Sequence, residues 1–402
     1  MLAGEQGEPV RKAMEILLAL GKIYGAEDLV PVTHVQIAGV SFKNLGEAGL
    51  EFLWEWADKG ARVRVPTTLN PAGMDMAQWR EMGIPLEFAH KQVAVVDAYL
   101  AMGVQRTLSC TPYLVGYRPG MGEHLAWSES SAVSFANSVL GARSNREGGP
   151  SALAAAITGR TPKYGLHLAS ARLAHYRVQV HCPLQNEADF GALGYLVGKR
   201  VRNGVPYFQL RTAAPDLTVV PGRDVEGMLK ALGAAMAASG AVALYHVEGV
   251  TPEACRGGVL SPDALPIVVA SLAEAFAALN GPAGTIDFVS IGCPHASLAE
   301  IEQVAHLLRG KRVQATLWVT AARQTREEAK QRGWVEIIEA AGGHVVADTC
   351  VVVAPVELLG FKSMATNSAK AAFYAPLHSG LSVRFGPLEE CIQAALTGKW
   401  GT

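Results

Sequence analysis

The feature that most restricts the fold is a regular alternation of strand-like and helix-like segments in the last third of the chain. The buried strand TIDFVSIGC is followed by a capping box at 297–300, which predicts a helix start. The strand VQATLWVT precedes a second predicted box at 325–328, and the segments HVVADTC and LGFKSMATN continue the pattern. Strands that alternate with helices form largely parallel sheets, whose ligands bind beyond the carboxyl ends of the strands. The pattern therefore predicts an α/β fold.

The earlier parts of the chain follow a similar rhythm. We predict a helix at 9–24, the strand VTHVQIAG, a tight turn at 39–41 and a helix at 45–58. We then predict a strand at 62–66, a turn at 68–73, a helix through 93–102 and the strand VQRTLSC, which ends at Cys110. The alternating runs HYRVQVHC and VPYFQLRT indicate a smaller mixed unit in the middle of the chain.

The length of the chain indicates several domains. At about 150 residues per domain, 402 residues predict two to three of them. We assign an N-terminal α/β domain with substrate motifs to 1–170, a smaller mixed α/β domain to 171–282, and a C-terminal α/β domain with two cluster cysteines to 283–402. The loop-like stretch 211–224 is interpreted as a domain edge.

Charge and apolar content exclude several classes of protein. The 35 Lys and Arg residues against 36 Asp and Glu residues give a net charge of −1, which predicts binding to neither nucleic acid nor a membrane surface. The sequence lacks the pattern of a signal peptide or a transmembrane span, which predicts a cytoplasmic protein. Apolar residues reach 50% and charged residues only 18%, so we expect a partner subunit to cover part of the surface.

Three of the six cysteines have a common context. Cys110, Cys293 and Cys350 each close a strand-like run and precede a polar or proline-containing turn. Their wide spacing excludes a zinc knuckle or a Cys-x-x-Cys redox loop, but not a metal centre assembled between domains. An iron–sulfur cluster held by three thiolates leaves one iron free to act as a Lewis acid in the elimination of water. The alternative is that these cysteines are small buried core residues.

The segment 122–165 contains two predicted helices, one at about 130–140 and one that starts at 148–151, and polar side chains are concentrated between them. Arg143 and Arg146 lie near the free N–H groups of a helix start, an arrangement that binds a phosphate or a carboxylate. The alternative is two ordinary surface arginines. Glu129 and Ser130 offer a proton-transferring group and a hydroxyl contact, but they could equally cap the following helix.

Two further motifs leave functional and structural interpretations open. The segment TNSAK, which ends at Lys370, places hydroxyls, an amide and an ammonium at a helix start and so suits an anion. A lone lysine at such a position is usually a solvated side chain. His295 beside Cys293 either orients a leaving group or thiolate, or serves only the structure of a helix entry.

Taken together, the motifs carry a resemblance to a known family. They are GVS at 39–41, TLNPAGMD at 68–75, CTPY at 110–113, WSESSAV at 127–133, the stretch 137–150, CPH at 293–295, DTC at 348–350 and TNSAK at 366–370. Nearly end to end, the chain resembles the large subunit of the aconitase X family and is most similar to its phosphomevalonate dehydratase branch. The resemblance implies an aconitase-like fold with several α/β domains around an iron–sulfur cluster. We expect a 4Fe-4S cluster, while three thiolates could also hold a 3Fe-4S form or a smaller unit. By motif position, the resemblance implies Cys110, Cys293 and Cys350 as the ligands.

The resemblance also implies a substrate site and a reaction. The implied substrate contacts are Gly39, Val40, Ser41, Asn70, Pro71, Glu129, Ser130 and Lys370, with Glu129 and Ser130 assigned to catalysis. The implied enzyme is a hydro-lyase that converts (R)-5-phosphomevalonate into trans-anhydromevalonate 5-phosphate in an archaeal-type mevalonate route to isoprenoids. A separate small subunit is the implied partner. It would supply the swivelling domain that this chain, ending at Thr402, is expected to lack, together with a serine base. Relatives often carry a short leader before the position of Met1.

Three alternatives compete with this interpretation. Within the family, the substrate could be cis-3-hydroxy-L-proline, but the segment 143–150 favours a phosphorylated substrate. A second alternative is a cluster-free RNA-binding regulator, which the net charge of −1 disfavours. A third is a scaffold subunit without catalysis, which the joint presence of the three cysteines with Glu129, Ser130 and Lys370 disfavours.

Overall fold

The described part of the chain is built on parallel sheets covered by helices. The computed structural model describes residues 1–210, 217, 224–282 and 284–401. Of the predicted loop at 211–224, only Leu217 and Asp224 fall within these residues. Within them, three parallel sheets and one short antiparallel strand pair are present, which confirms the predicted α/β class. No helix among the described residues has the length and apolar character needed to cross a membrane.

The first sheet has three parallel strands with a buried strand at its centre. The elements of this part are α1 (Glu8–Tyr24), β1 (Leu29–Pro31), β2 (His34–Ile37), α2 (Phe42–Asp58), β3 (Thr67–Leu69), α3 (Leu86–Ala101), β4 (Leu125–Trp127), α4 (Ser130–Ser138), α5 (Gly149–Thr158) and β5 (Arg160–Pro162). The strand order is β3-β2-β4, while β1 and β5 form the antiparallel pair. All four residues of β2 are buried, including the polar His34 and Gln36, which alternate with the apolar Val35 and Ile37.

The middle sheet has four strands, all parallel, in the order β8-β7-β6-β9. Its elements are β6 (Ala174–Val180), α6 (Glu187–Val201), β7 (Pro206–Gln209), α7 (Val225–Gly240), β8 (His246–Val247), α8 (Pro252–Arg256), β9 (Leu260–Val269) and α9 (Ala273–Leu279). Helices α6 and α7 approach closely because glycines face the neighbouring backbone. A Cβ atom on Gly194 would lie 2.4 Å from the carbonyl oxygen of Leu232.

The last sheet has five parallel strands in the order β12-β11-β10-β13-β14. Its elements are β10 (Phe288–Ile291), α10 (Leu298–Leu308), β11 (Thr316–Ala321), α11 (Arg323–Gln331), α12 (Trp334–Ala340), β12 (His344–Ala347), β13 (Ser363–Thr366), α13 (Ala369–Ser379), β14 (Ser382–Phe385) and α14 (Leu388–Thr397). The strand order reverses between β10 and β13, and such a reversal opens a crevice beyond the strand ends. Cys293 follows β10 and Ser368 follows β13, so both lie at this crevice.

Three local predictions are wrong. The strand predicted at 62–66 lies at Thr67–Leu69 instead, so the turn predicted at 68–73 begins only after Leu69. The run VQRTLSC forms only an isolated bridge between Thr68 and Gln105, because Leu108 has a φ of +46°, which interrupts an extended strand. The second predicted capping box is absent, because α11 starts immediately after β11, with Ala322 at the N-cap.

Other local predictions are confirmed. The box at Ser297 and Glu300 is complete, and Ser368 caps α13 through a hydrogen bond from the backbone N–H of Ala371 at 3.1 Å. The three large sheets occupy separate stretches of the chain, at 34–127, 174–269 and 288–385. The division into domains at 170 and 282 stays a prediction.

Candidate active site

A buried ion pair joins the first and last parts of the chain. The ammonium of Lys370 contacts Glu129 Oε1, and the two side chains are only 8% and 13% exposed. Asn70 Nδ2 donates to Glu129 Oε2 at 2.9 Å, and Ser131 Oγ donates to Glu129 Oε1 at 3.0 Å. Burial disfavours the ionised carboxylate, but Lys370, Asn70 and Ser131 outweigh this effect and lower the pKa of Glu129 to about 2. Glu129 is therefore an ionised carboxylate that Lys370, Asn70 and Ser131 stabilise.

Local structure explains where the two charged groups lie. Glu129 follows β4 as the N-cap of α4 and accepts a long hydrogen bond from the backbone N–H of Ser131, at 3.4 Å. The helix-capping alternative is therefore correct for Glu129, but the same carboxylate also pairs with Lys370. Ser130 is the first residue of α4, and its hydroxyl makes no hydrogen bond to any residue that the structure describes.

The carboxyl ends of the first sheet bring the other predicted substrate residues to the same edge. The backbone N–H of Asn70 donates to Ile37 O at 2.9 Å, and that of Ser128 donates to Gln36 O at 3.0 Å. Residues following β2, β3 and β4 therefore meet there, and Pro71 is buried beside Asn70. Gly39 has a φ of +85°, and a Cβ atom built on it would meet nothing within 4 Å. The space beside Gly39 is open.

The turn after β2 also reaches the last part of the chain. Ser41 Oγ donates to Val353 O at 2.8 Å, a few residues beyond Cys350. The carbonyl of Val40 accepts from Gln92 Nε2 at 2.8 Å, which fixes the turn on the side of α3. The predicted turn at 39–41 thus lies between the first sheet and the segment that follows Cys350.

The two predicted arginines occupy different environments. The guanidinium of Arg143 donates a hydrogen bond to His167 O at 2.8 Å. His167 is not one of the predicted substrate residues. Arg146 is exposed and forms no ion pair with any described residue, and its backbone lies opposite Trp127, close to the end of β4. Binding of an anion by Arg143 or Arg146 stays a prediction.

The three predicted cysteines are brought together from distant parts of the chain. Cys110, Cys293 and Cys350 are all buried and none forms a disulfide. Burial raises the pKa of Cys110 to about 12, that of Cys293 to about 11 and that of Cys350 to about 12, and the negative charge of a second cysteine thiolate raises each pKa further. The positive charge of Lys370 lowers the pKa of all three thiols and so opposes the effect of burial. The three sulfur atoms therefore share one buried environment with the ammonium of Lys370.

The donor set fits a cluster better than a single ion. In the described ranges, no three His, Cys, Asp or Glu side chains are placed to hold one metal ion. In a cluster, each thiolate binds its own iron, so the sulfur atoms do not need to converge on one point. Three buried polar atoms near the thiols and Glu129 have no hydrogen-bond partner among the residues that the structure describes, namely Asn70 Oδ1, Ser128 Oγ and Thr349 Oγ1. A buried site with thiols and unpaired polar atoms is suited to a bound inorganic group and its ligand.

Sequence reasoning gave no role to a second charged cluster that supports the site. Asp75 is completely buried and accepts from Arg323 Nη2 at 2.6 Å and from the backbone N–H of Ala347 at 2.9 Å. The same guanidinium binds Asp348 Oδ2 at 2.5 Å, two residues before Cys350. Asp75 belongs to the TLNPAGMD motif, and this position is a signal in the sequence that could have pointed to the cluster. Nothing in the sequence singled out Arg323.

A cavity of about 490 Å³ lies at the reversal of strand order in the last sheet. Its lining includes Glu187, Asp224, Glu300 and Glu389, together with Asn367. No Lys or Arg is among the described residues that line this cavity, so it offers a phosphate group no strong cationic partner. The edge of the first sheet, where the buried ammonium of Lys370 lies, is the better location for such a group.

Comparison with known proteins assigns the chain to a family. The family described as Aconitase X matches in three successive pieces, its first domain at residues 1–170, its second at 174–276 and its third at 286–397. The chain belongs to the aconitase X family. The resemblance carried by the sequence motifs is thereby confirmed.

Individual aconitase X relatives cover nearly the whole chain. The phosphomevalonate dehydratase large subunit of Methanothermobacter thermautotrophicus is 52% identical over 95% of this chain and 93% of its own length. That of Methanocaldococcus jannaschii is 48% identical, covering 98% of this chain and 97% of its own length. The cis-3-hydroxy-L-proline dehydratase of Pseudomonas aeruginosa is more distant, at 38% identity over 99% of this chain and 69% of its own length.

A solved aconitase X structure supports the fold. The crystal structure of Thermococcus kodakaraensis aconitase X in its holo-form superposes with a TM-score of 0.89 at 46% sequence identity. The match covers 98% of this chain and 97% of that one. The predicted aconitase-like architecture is confirmed, and the family as a whole implies an iron–sulfur cofactor.

Proposed function

We propose that this chain is the large subunit of an iron–sulfur hydro-lyase that dehydrates (R)-5-phosphomevalonate to trans-anhydromevalonate 5-phosphate. The observation that carries the proposal is the buried Glu129–Lys370 pair in the same environment as three buried thiols. The names of the relatives that match over nearly the full chain support the choice of substrate. The reaction would be a step of an archaeal-type mevalonate route in the cytoplasm.

The substrate carries a phosphate and a carboxylate, so its site must supply cations and N–H donors. Lys370 is the buried cation, and the exposed Arg146 lies near the same sheet edge. Ser41 stands at the N-cap of α2 beside the open space at Gly39, but the backbone N–H groups of Phe42 and Asn44 already donate to Gln92 Oε1 and Ser41 O. We assign the anionic ends of the substrate to Lys370 and Arg146, and to Gly39, Val40, Ser41, Asn70 and Pro71 around them.

The elimination breaks a C–H bond at C2 and the C–O bond at C3 of the substrate. The electron pair of the C–H bond forms the new double bond, and the hydroxyl leaves with a proton as water. When bound through Cys110, Cys293 and Cys350, a cluster of the 4Fe-4S type supplies a Lewis-acidic iron for the departing hydroxyl. The residues of this chain bind the substrate, orient it and hold the proton that the leaving hydroxyl takes up.

In the central step for this chain, the ammonium of Lys370 changes its partner from Glu129 to an anionic group of the substrate. A substrate anion that takes over the ammonium leaves the carboxylate of Glu129 buried with fewer partners, and burial then raises its pKa. Glu129 can then hold the proton that the leaving hydroxyl needs. The free hydroxyl of Ser130 is positioned at the same helix start to bind the substrate. A small subunit would supply the serine base that removes the C2 proton.

The decisive experiment is an anaerobic assay after reconstitution with iron and sulfide, with and without the small subunit. Loss of water is followed from (R)-5-phosphomevalonate and from cis-3-hydroxy-L-proline in parallel. Turnover of the phosphorylated substrate only by the two-subunit enzyme supports the proposal. Turnover of the proline instead would keep the fold but overturn the substrate, and turnover of neither would overturn the enzymatic role.

The role of Lys370 can be tested with Lys370→Ala. A charge-assisted hydrogen bond contributes about 1.5–3 kcal/mol, so loss of the ammonium should weaken phosphomevalonate binding about 10- to 100-fold. Binding of mevalonate, which lacks the phosphate, should weaken much less. Dissociation constants for both compounds provide the measurement. Equal weakening of both would show that Lys370 does not bind the phosphate.

A further inference from the structure

We propose that His295 is a positioning residue that holds the three cysteine segments in one arrangement. His295 is completely buried and lies two residues beyond Cys293. Each of its hydrogen-bonding groups contacts a segment carrying one of the proposed cluster ligands, or a charged pair that anchors the turn. The inference rests on the cluster of the proposed function and adds a residue to which no catalytic or substrate role is assigned.

The hydrogen bonds of His295 reach both of the other cysteine segments. Its backbone N–H donates to the sulfur of Cys110 at 3.2 Å. Its ring Nδ1 lies 3.2 Å from the hydroxyl of Ser109, the residue before Cys110. Its ring Nε2 lies 3.0 Å from the carbonyl oxygen of Thr349, the residue before Cys350. Together with the short covalent link to Cys293, one residue thus joins three segments that are far apart in the sequence.

The contacts determine the tautomer of the ring. The carbonyl of Thr349 can only accept, so Nε2 must carry the hydrogen. In the neutral ring, Nδ1 then accepts from the hydroxyl of Ser109, which also lies 3.2 Å from Thr111 Oγ1. Both ring nitrogens are used in the bridge. Phenylalanine could fill the same space but could make neither bond.

A buried ion pair anchors the other side of the same turn. Lys230 on α7 contacts the carboxylate of Glu300, and its ammonium also reaches His295 O at 3.5 Å. Glu300 in turn accepts from the backbone N–H of Ser297 at 2.8 Å in the capping box of α10. The turn that carries Cys293 is therefore fixed to the middle part of the chain as well as to the other two cysteine segments.

Such a bridge matters because thiols must be in place before a cluster can bind to all of them. Residues that orient metal ligands from behind typically change metal affinity about 10- to 100-fold when they are replaced. A purely structural histidine would change the stability of the folded chain without this specific effect on the cluster. The two roles are therefore separable by experiment.

The test compares His295→Phe with His246→Phe in the two-subunit enzyme, reconstituted anaerobically with iron and sulfide. His246, on β8 of the middle sheet, is a matched control, because it is also completely buried and its ring bonds a backbone carbonyl, that of Arg172 at 2.9 Å. The readouts are iron and sulfide per chain, the rate of loss of visible absorption after addition of EDTA, and the melting temperature of the cluster-free protein.

We expect His295→Phe to lose the cluster about 10-fold faster than the wild type or more, whereas His246→Phe stays at the wild-type rate. His295→Gln, whose amide N–H can still donate to Thr349 O, should lie between them. Cluster loss at the wild-type rate in His295→Phe, or equally fast loss in both Phe variants, would overturn the inference.

Two further outcomes are decisive. If His295→Phe does not fold, Ser109→Ala removes one arm of the bridge, and an unchanged rate of cluster loss in that variant would overturn the inference. A wild-type enzyme that takes up no iron and sulfide would overturn the cofactor of the proposed function and this inference together. A wild-type enzyme with a stable cluster and insensitive His295 variants would overturn the inference alone.

Discussion

At the scale of single residues, the ionisation of Glu129 is the property most dependent on its surroundings. Burial alone would keep the carboxyl protonated, but Lys370 and two hydrogen bonds lower its pKa to about 2. A buried charge of this kind is stable only while its partner remains in place. The site is therefore prepared for an anion that competes with Glu129 for the same ammonium.

The substitution Glu129→Gln tests this electrostatic balance through stability. Because the pKa of the folded state lies below the ordinary value of 4.5, the ionised carboxylate stabilises the fold. This contribution is fully present above pH 4.5 and is lost as the pH falls toward about 2. We therefore expect the difference in unfolding free energy between wild type and variant to shrink on acidification.

Urea unfolding at several values between pH 7 and pH 3, the lower values lying inside the window set by the pKa of about 2, provides the measurement. Turnover should fall about 100- to 10,000-fold in the same variant if Glu129 transfers a proton. A stability difference that does not change with pH would contradict the electrostatic account of the pair.

At the scale of elements, close helix packing places the residues behind the site. Glycines allow α6 and α7 to approach each other so closely that a Cβ on Gly240 would lie 1.9 Å from the carbonyl oxygen of Gly198. Helix α7 carries Lys230, which reaches the turn at His295. The glycines thus allow close packing of α6 against the helix that carries this ammonium.

The substitution Gly194→Ala should disturb this packing. The added methyl group would lie 2.4 Å from the carbonyl oxygen of Leu232, so the two helices must separate. Overpacking of this kind costs about 1–3 kcal/mol of unfolding free energy. Thermal or urea unfolding measures the loss, with Arg200→Ala on the exposed side of α6 as the control, expected within about 0.5 kcal/mol of wild type. Equal stability of Gly194→Ala and the wild type would contradict the close approach of α6 and α7.

At the scale of the whole molecule, buried polar links hold the first and last sheets together around the site. Asp75 accepts from the guanidinium of Arg323 and from the backbone of Ala347. The backbone N–H of Ala72 donates to Asp348 O at 2.8 Å. These bonds cross from the TLNPAGMD motif to the segment of Cys350, and they therefore set the distance between substrate residues and cluster ligands.

The substitution Asp75→Asn should weaken this link. It removes the charge that Arg323 binds and leaves a buried amide facing backbone donors, which should cost about 1–3 kcal/mol of unfolding free energy. Urea unfolding provides the measurement. Glu15→Gln, which disrupts the exposed pair with Arg11, is the control and should change stability by less than about 0.5 kcal/mol. A loss no larger than that of the control would show that the link is not needed to hold the two sheets together.

The sequence by itself determined the features that depend on neighbouring residues. The alternation of strands and helices, the capping box at Ser297 and the helix start at Ser368 follow from local periodicity and local hydrogen bonds, and all are present. The local rules failed where side chains from elsewhere replace regular pairing. The segment before Cys110 is one case, since Gln36 Nε2 donates to Ser109 O at 3.1 Å there.

Only the tertiary structure decided which of the predicted residues meet. Glu129 and Lys370 are 241 positions apart, and the three bonds of His295 reach segments that precede it and follow it at long range. Sheet order and the crossing of strand ends set these distances, and neither can be read from the spacing of residues along the chain. The chemistry of the side chains was therefore visible in the sequence. Their partners were not, because a buried charge or thiol acquires its properties from whatever the fold places against it.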